Sequence, residues 1–137
     1  MNACPFCTLP PERILLNSAH GVIIRDGFPI SPGHTLVIPR RHVDSFFNLT
    51  ADERVDLLGL LDQAKAGIEK EFKPDTYNIG INDGPAAGQT VPHLHIHLIP
   101  DTPVTFLMPV VVSAGSSQTK LITGATGDSR VPACLPQ

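Results

Sequence analysis

Three of the chain's six histidines fall within five residues, in the run His93-Leu94-His95-Ile96-His97-Leu98-Ile99. Side chains of an extended strand alternate between its two faces. An extended run therefore places His93, His95 and His97 on one face, with successive Cα atoms about 6.5–7 Å apart. Leu94, Ile96 and Leu98 fall on the other face and are expected in the core. Imidazole titrates near neutrality, so such a row can act as base, acid or nucleophile. Two other readings compete. A solvated strand face would more cheaply carry Thr, Lys or Glu. A three-histidine metal site would take two ligands from i, i+2 neighbours, but the third lies far along the strand.

The loop before the row narrows the chemistry. Gly84 and Gly88 bound the segment Asp83-Gly84-Pro85-Ala86-Ala87-Gly88, and Gln89 and Thr90 follow. Glycines let the backbone approach a ligand, and N–H groups in such turns hold oxyanions. An imidazole beside an oxyanion loop points to attack on phosphorus through a phosphohistidine-type intermediate. A second cluster is Cys4-x-x-Cys7. Two thiolates at this spacing suit zinc, which needs two further ligands, and His42 and His93 are the candidates. The alternatives are two uncoupled thiols or a redox pair. The redox pair is disfavoured because no strand precedes it in a βαβ unit.

These groups need a scaffold, and the chain is long enough for one domain at 137 residues with 42% apolar content. Net charge is −3, and the ten Lys and Arg are scattered along the chain. No basic stripe is present for long nucleic acid. No apolar run reaches the roughly 18–20 residues of a membrane helix. No secretory signal opens the chain, so the cytoplasm is the expected compartment. Three cysteines, Cys4, Cys7 and Cys134, argue against a disulfide framework.

Strands are expected at residues 13–16, 20–26, 34–39, 76–82 and 91–99, from β-branched runs bounded by Pro, Gly and Asn. A helix is expected from Thr50 to Phe72. Thr50 and Glu53 fit a capping box, Leu57, Leu61, Ala64, Ile68 and Phe72 make an apolar stripe, and Pro74 ends it. One long helix and five strands with mostly short links predict an α+β domain with a mainly antiparallel sheet.

The blocks HLHIHLI, PGHTLVIPRRH and INDGPAAGQTVPH resemble those of the histidine triad (HIT) family, over roughly residues 3–101. The resemblance implies a HIT-like α+β fold with a five-stranded antiparallel sheet, in a homodimer. It implies cleavage at the α-phosphate of dinucleoside polyphosphates, nucleoside phosphoramidates or adenylylated amino acids, with purine nucleotides as substrates. By the same resemblance His95 is the nucleophile that forms a nucleotidyl-histidine. His97 lies against phosphate and ester oxygens, and His34 sits nearby. Asp26 matches the position that holds the ribose hydroxyls. Asn82, Gln89 and Thr90 match positions that contact phosphate or leaving group. Bacterial relatives carry structural zinc on residues matching Cys4, Cys7, His42 and His93, which would leave no open coordination position and remove His93 from acid–base work. His20 remains an ordinary polar residue. The rival functions are a non-catalytic nucleotide-binding regulatory module and a metallohydrolase with a catalytic ion.

The resemblance defines a HIT domain over residues 1–103 and fails over residues 104–137. Relatives continue with a tail resembling DVPDPRGGVRWVIPDKADYW, whereas residues 105–124 read TFLMPVVVSAGSSQTKLITG. Suitable codons for this stretch, read one base upstream, give DVPDARGGVRWVIPDKADYW. We read the tail as the product of a shifted frame, without selection for packing and poorly ordered. Sequencing the gene across codons 98–106 is expected to reveal the inserted or deleted base. An uninterrupted frame shared by close relatives would instead mark a divergent terminus.

Overall fold

The computed structural model describes residues 4–101. The tail expected to be frame-shifted, and Cys134 with it, lie outside these described residues. Five strands, β1 (Ile14–Asn17), β2 (Gly21–Arg25), β3 (Thr35–Pro39), β4 (Thr76–Gly80) and β5 (Ile96–Asp101), form one sheet in the order β1-β2-β3-β5-β4. Every pairing is antiparallel, as the sequence predicts. The long helix α1 spans Ala51–Glu71.

Thr50 caps α1 as expected: its hydroxyl accepts the Glu53 N–H, and the Glu53 carboxylate accepts the Thr50 N–H. The buried stripe differs from the expected one. It runs through Glu53, Leu57, Leu60, Ala64 and Ile68. Leu61 packs only at the margin of the core, and Phe72 is the C-cap. Gly21 explains the choice. A Cβ there would lie 2.6 Å from Leu57 Cδ2 and 2.8 Å from Leu60 Cδ1, so the bare backbone of β2 is what this helical face rests on.

The sheet is covered on both sides. Ile23, Val37, Leu94, Ile96 and Leu98 pack with the α1 stripe in the larger core cluster. Val22, Ile24, Leu36 and Ile38 form a second cluster with Phe6, Leu9 and Ile14 of the N-terminal segment. Leu94, Ile96 and Leu98 are thus core residues, as alternation predicts. The expected strand over 91–99 is nevertheless corrected, because β5 begins only at Ile96. Its pairing with β3 stops at Val37↔Ile96, and that with β4 at Gly80↔His97. Further along β3 stands Pro39, which has no N–H for a ladder, and its carbonyl accepts the His93 ring N–H instead. The chain therefore leaves the sheet before Ile96, and the Leu94 N–H donates to Val43 O.

The segment carrying His42 is tied to the start of α1 through its neighbour. Arg41 donates two bonds to the buried Glu53 carboxylate, at 2.8 and 3.2 Å. These bonds, then the Thr50 N–H, hold the Glu53 carboxyl down to about 2. The depressed value means stabilisation present above the ordinary 4.5 and lost as pH falls through about 2. Glu53→Gln is therefore expected to cost about 1–2 kcal/mol at pH 7. Thermal melts should show the gap to wild type closing between pH 4.5 and 2. A gap independent of pH would reject the ionised pair.

Candidate functional site

The turn before β3 sets the first histidine. Gly33 takes φ +89°, and a Cβ on it would lie 2.8 Å from the Phe72 ring. The Asp26 N–H donates to His34 O, and the Ser31 hydroxyl ties the turn to Pro100 O of β5. His34 is thereby buried beside His97, with Nε2 and Nδ1 of the two rings 2.9 Å apart.

Proton positions follow from these partners. The Ile30 N–H donates to His34 Nδ1 at 3.1 Å, so the neutral His34 ring carries its proton on Nε2. That Nε2–H points at His97 Nδ1, with Asp26 Oδ2 also 3.3 Å away. His97 Nδ1 is then an acceptor, and its proton sits on Nε2. This Nε2 is buried and has no hydrogen-bond partner among the described residues. Burial first, then the nearby His95 and His34, push His97 down to about 4, so it is neutral at pH 7. Burial likewise lowers His34, against the opposing pull of Asp26. His95 is set from the other side. Its Nδ1 lies 2.8 Å from the His93 carbonyl, which can only accept, so Nδ1 is the N–H. The neutral ring presents a lone pair at Nε2.

The three histidines of the run are therefore not one row on a strand. Only His97 belongs to β5. The His95 and His97 rings meet edge to face with centroids 4.9 Å apart. His93 instead faces the N-terminal turn. Its Nε2–H donates to Pro39 O at 2.8 Å, which aims Nδ1 at Cys4 Sγ (3.4 Å) and Cys7 Sγ (3.5 Å). His42 Nδ1 lies 3.1 Å from Cys7 Sγ. Tetrahedral metal–sulfur and metal–nitrogen bonds give S···N edges of about 3.6 Å, close to these separations. The four donors of Cys4, Cys7, His42 and His93 all lie within 4.8 Å of one another and fit a metal ion. Burial keeps His93 below its ordinary value, so its lone pair stays available.

Asp26, His34 and His97 also cluster within 4.8 Å. A cation there would need the His34 Nε2 lone pair and hence a proton on Nδ1, where the Ile30 N–H already points. Hydrogen-bond polarity thus favours a shared proton over a metal. It weighs against the metallohydrolase reading.

A cleft of about 500 Å³ opens over His95 and His97, with Asp26, Leu36, Asn82, Thr90, Phe6 and Phe28 among its lining. Of the expected substrate residues, Asp26, Asn82 and Thr90 reach this cleft. The Gln89 amide is committed elsewhere: it accepts the Gly84 N–H and donates to Asp44 O. The loop amides of Ala87, Gly88 and Gln89 donate to the loop's own carbonyls rather than standing free for an oxyanion. Phe6 and Phe28 escaped the reading of the sequence. An aromatic residue between two metal-spaced cysteines was the available signal for Phe6. Phe28, 90% exposed at a turn, offered none.

A five-stranded antiparallel sheet with alternating imidazoles, two of them at one cleft and one at a Cys/His cluster, is the arrangement of a histidine triad protein. The chain belongs to the HIT domain family, which matches residues 9–104. It is 40% identical over 118 residues to the asymmetrical bis(5'-nucleosyl)-tetraphosphatase of Schizosaccharomyces pombe, covering 80% of this chain and 65% of that one. It is 46% identical over 72 residues to a bifunctional bis(5'-adenosyl)-triphosphatase/adenylylsulfatase of Arabidopsis thaliana, covering 53% and 40%. The chain thus spans less than two thirds of either enzyme's length. Among solved structures, a HIT family member from Bacillus subtilis superposes with TM-score 0.71 at 28% identity, over 80% of this chain and 81% of that one. A zinc-bound histidine triad family protein from Mycobacterium smegmatis gives 0.65 at 31%, over 74% and 76%.

The tautomer chain makes a measurable claim. A folded value of about 4 against an ordinary 6.5 means that the unfolded chain holds the extra proton between them. His97 should therefore cost stability as pH falls from 6.5 to 4 and have no effect above. Imidazole ¹⁵N NMR at pH 7 should show His97 protonated on Nε2. An Nδ1–H tautomer, or titration near 6.5, would contradict the assignment.

Proposed function

We propose that this chain is a hydrolase and nucleotidyl transferase that cleaves dinucleoside polyphosphates or nucleoside phosphoramidates at the α-phosphate. Purine nucleotides are its substrates. The observation that carries the reading is a lone pair on His95 Nε2 beside a buried His97 Nε2–H that has no partner among the described residues, both along one cleft. The names of the yeast and plant relatives, which are dinucleoside polyphosphate hydrolases, support the substrate class.

In this mechanism His95 Nε2 attacks the α-phosphorus, and the bond from phosphorus to the leaving group breaks. The leaving group departs with the electron pair, a phosphate as its anion and an amine after taking up a proton from solvent. Water then attacks the same phosphorus, the P–N bond breaks, its electron pair returns to Nε2, and the water's proton passes to solvent. The His97 Nε2–H donates to a phosphoryl oxygen in both steps, or in the first to the bridging oxygen that gains charge as the leaving group departs. His34 acts through His97 by keeping its Nδ1 an acceptor. Asp26 Oδ1 accepts the Phe28 N–H, which holds the carboxylate at the cleft for the ribose hydroxyls. Asn82 and Thr90 serve the phosphate or leaving group, and Gln89 serves that end by bracing the loop.

The same proposal assigns zinc to Cys4, Cys7, His42 and His93. Two thiolates and two imidazoles suit its tetrahedral preference, and bound there zinc supplies a crosslink with no open position. Reduced thiols at this cluster agree with a cytoplasmic location. A homodimer is supported by apolar side chains left exposed on α1 (Val55, Leu58) and on the edge strand β4 (Ile79). No described helix is long and apolar enough to cross a membrane.

Mass spectrometry of enzyme quenched while turning over a diadenosine polyphosphate should find an adenylyl adduct on His95. His95→Ala should lose at least about a thousandfold in kcat. Equal turnover by wild type and variant would dismiss the nucleophile. Nucleotide binding without turnover in either would leave a regulatory binding module.

A further inference from the structure

Phe6 sits between the two cysteines of the metal cluster, yet its ring belongs to the cleft. Its centroid lies 5.9 Å from the His93 ring and 5.1 Å from the His95 ring, both edge to face. It packs against the second apolar cluster of the sheet and forms part of the cleft wall. One side chain thus touches a metal ligand, the nucleophile and the space a ligand would fill. The turn that carries it has little else to hold it. Cys7 is exposed, Cys4 is half-buried, and the turn's backbone bonds are local, from the Cys7 N–H and the Thr8 hydroxyl to Cys4 O.

We infer that Phe6 makes the metal turn a wall of the nucleotide site, so that metal occupancy and nucleotide affinity are coupled through this ring. The inference rests on the nucleotide reading above. A metal on Cys4, Cys7, His42 and His93 fixes both ends of the Cys4-Pro5-Phe6-Cys7 turn and so fixes the ring against His95. Loss of the metal leaves two of those anchors free, and the wall has then to be ordered by the ligand, which lowers its affinity. A flat aromatic wall beside the cleft suits the planar base of a nucleotide. Coupling between two binding sites is reciprocal, so nucleotide must tighten metal binding by the same factor.

The test uses AMP and Zn²⁺ as probes on the full chain. Calorimetry gives the AMP affinity of zinc-loaded and zinc-stripped protein, and competition with a chromophoric chelator gives the zinc affinity with and without AMP. In wild type we expect stripping to weaken AMP about tenfold and saturating AMP to tighten zinc by the same factor. In Phe6→Ala both factors should fall to about one, while the zinc affinity without AMP stays within a fewfold of wild type. Phe6→Leu, which keeps apolar bulk in the turn, should retain the fold if the alanine variant does not and should still lose most of the coupling. Coupling undiminished in both variants, or an AMP affinity indifferent to zinc in wild type, overturns the inference and leaves the nucleotide reading standing. Failure of AMP to bind any form removes that reading and the inference together.

Discussion

The site depends on where one strand pairing stops. Pro39 cannot donate to a ladder, and its carbonyl is filled by the His93 imidazole rather than by a strand partner. From that bond two consequences run in sequence. The His93 proton is held on Nε2, so its Nδ1 lone pair faces the two cysteines. Because the chain has left the sheet here, the His93 carbonyl is free to accept from His95 Nδ1, which leaves the His95 lone pair on Nε2. Two rings two residues apart, one with its lone pair toward the cysteines and one with its lone pair on Nε2, are set by two main-chain oxygens, Pro39 O and His93 O.

Much of this was legible in the sequence, and the limits have physical causes. The capping box at Thr50 and Glu53, the antiparallel sheet and the burial of Leu94, Ile96 and Leu98 follow from local pattern, and the structure has them. The choice of Leu60 over Leu61 for the helix face does not, because both satisfy helical spacing and the bare backbone of Gly21 decides. The early end of β5 was equally hidden. Alternation describes side-chain facing, and residues 93–97 alternate whether or not their backbone has partners. The cysteine and histidine positions were readable as a metal set from spacing and resemblance, and the geometry brings all four together. Tautomers were not readable, since each depends on a carbonyl or N–H distant in the chain.

Burial shapes the chemistry as much as proximity does. His34, His93, His95 and His97 are all buried, and imidazolium in that setting would pair with few carboxylates. Asp26 is the acid near His34 and His97, and its Oδ1 already accepts from Phe28 N–H. Low dielectric therefore keeps His34 and His97 neutral, and neutral rings have one donor and one acceptor each. A neutral ring can be oriented by a single hydrogen bond, whereas a charged ring with two donors cannot be told apart at its two ends. The His97 Nε2–H, without a partner among the described residues, is the residual cost of this arrangement, a desolvated donor.

The two clusters of potential ligands show the same logic with opposite outcomes. Both bring three or four donor atoms within 4.8 Å. At Cys4, Cys7, His42 and His93, the outer nitrogen of His93 donates to a carbonyl, and a ring that donates outward offers its lone pair inward. At Asp26, His34 and His97, the outer nitrogen of His34 accepts from an amide, and a ring that accepts outward holds a proton inward. The distinction between a metal site and a proton-sharing pair rests here on whether the main-chain group behind the imidazole is a C=O or an N–H. Residue type and spacing alone would have ranked the two clusters together.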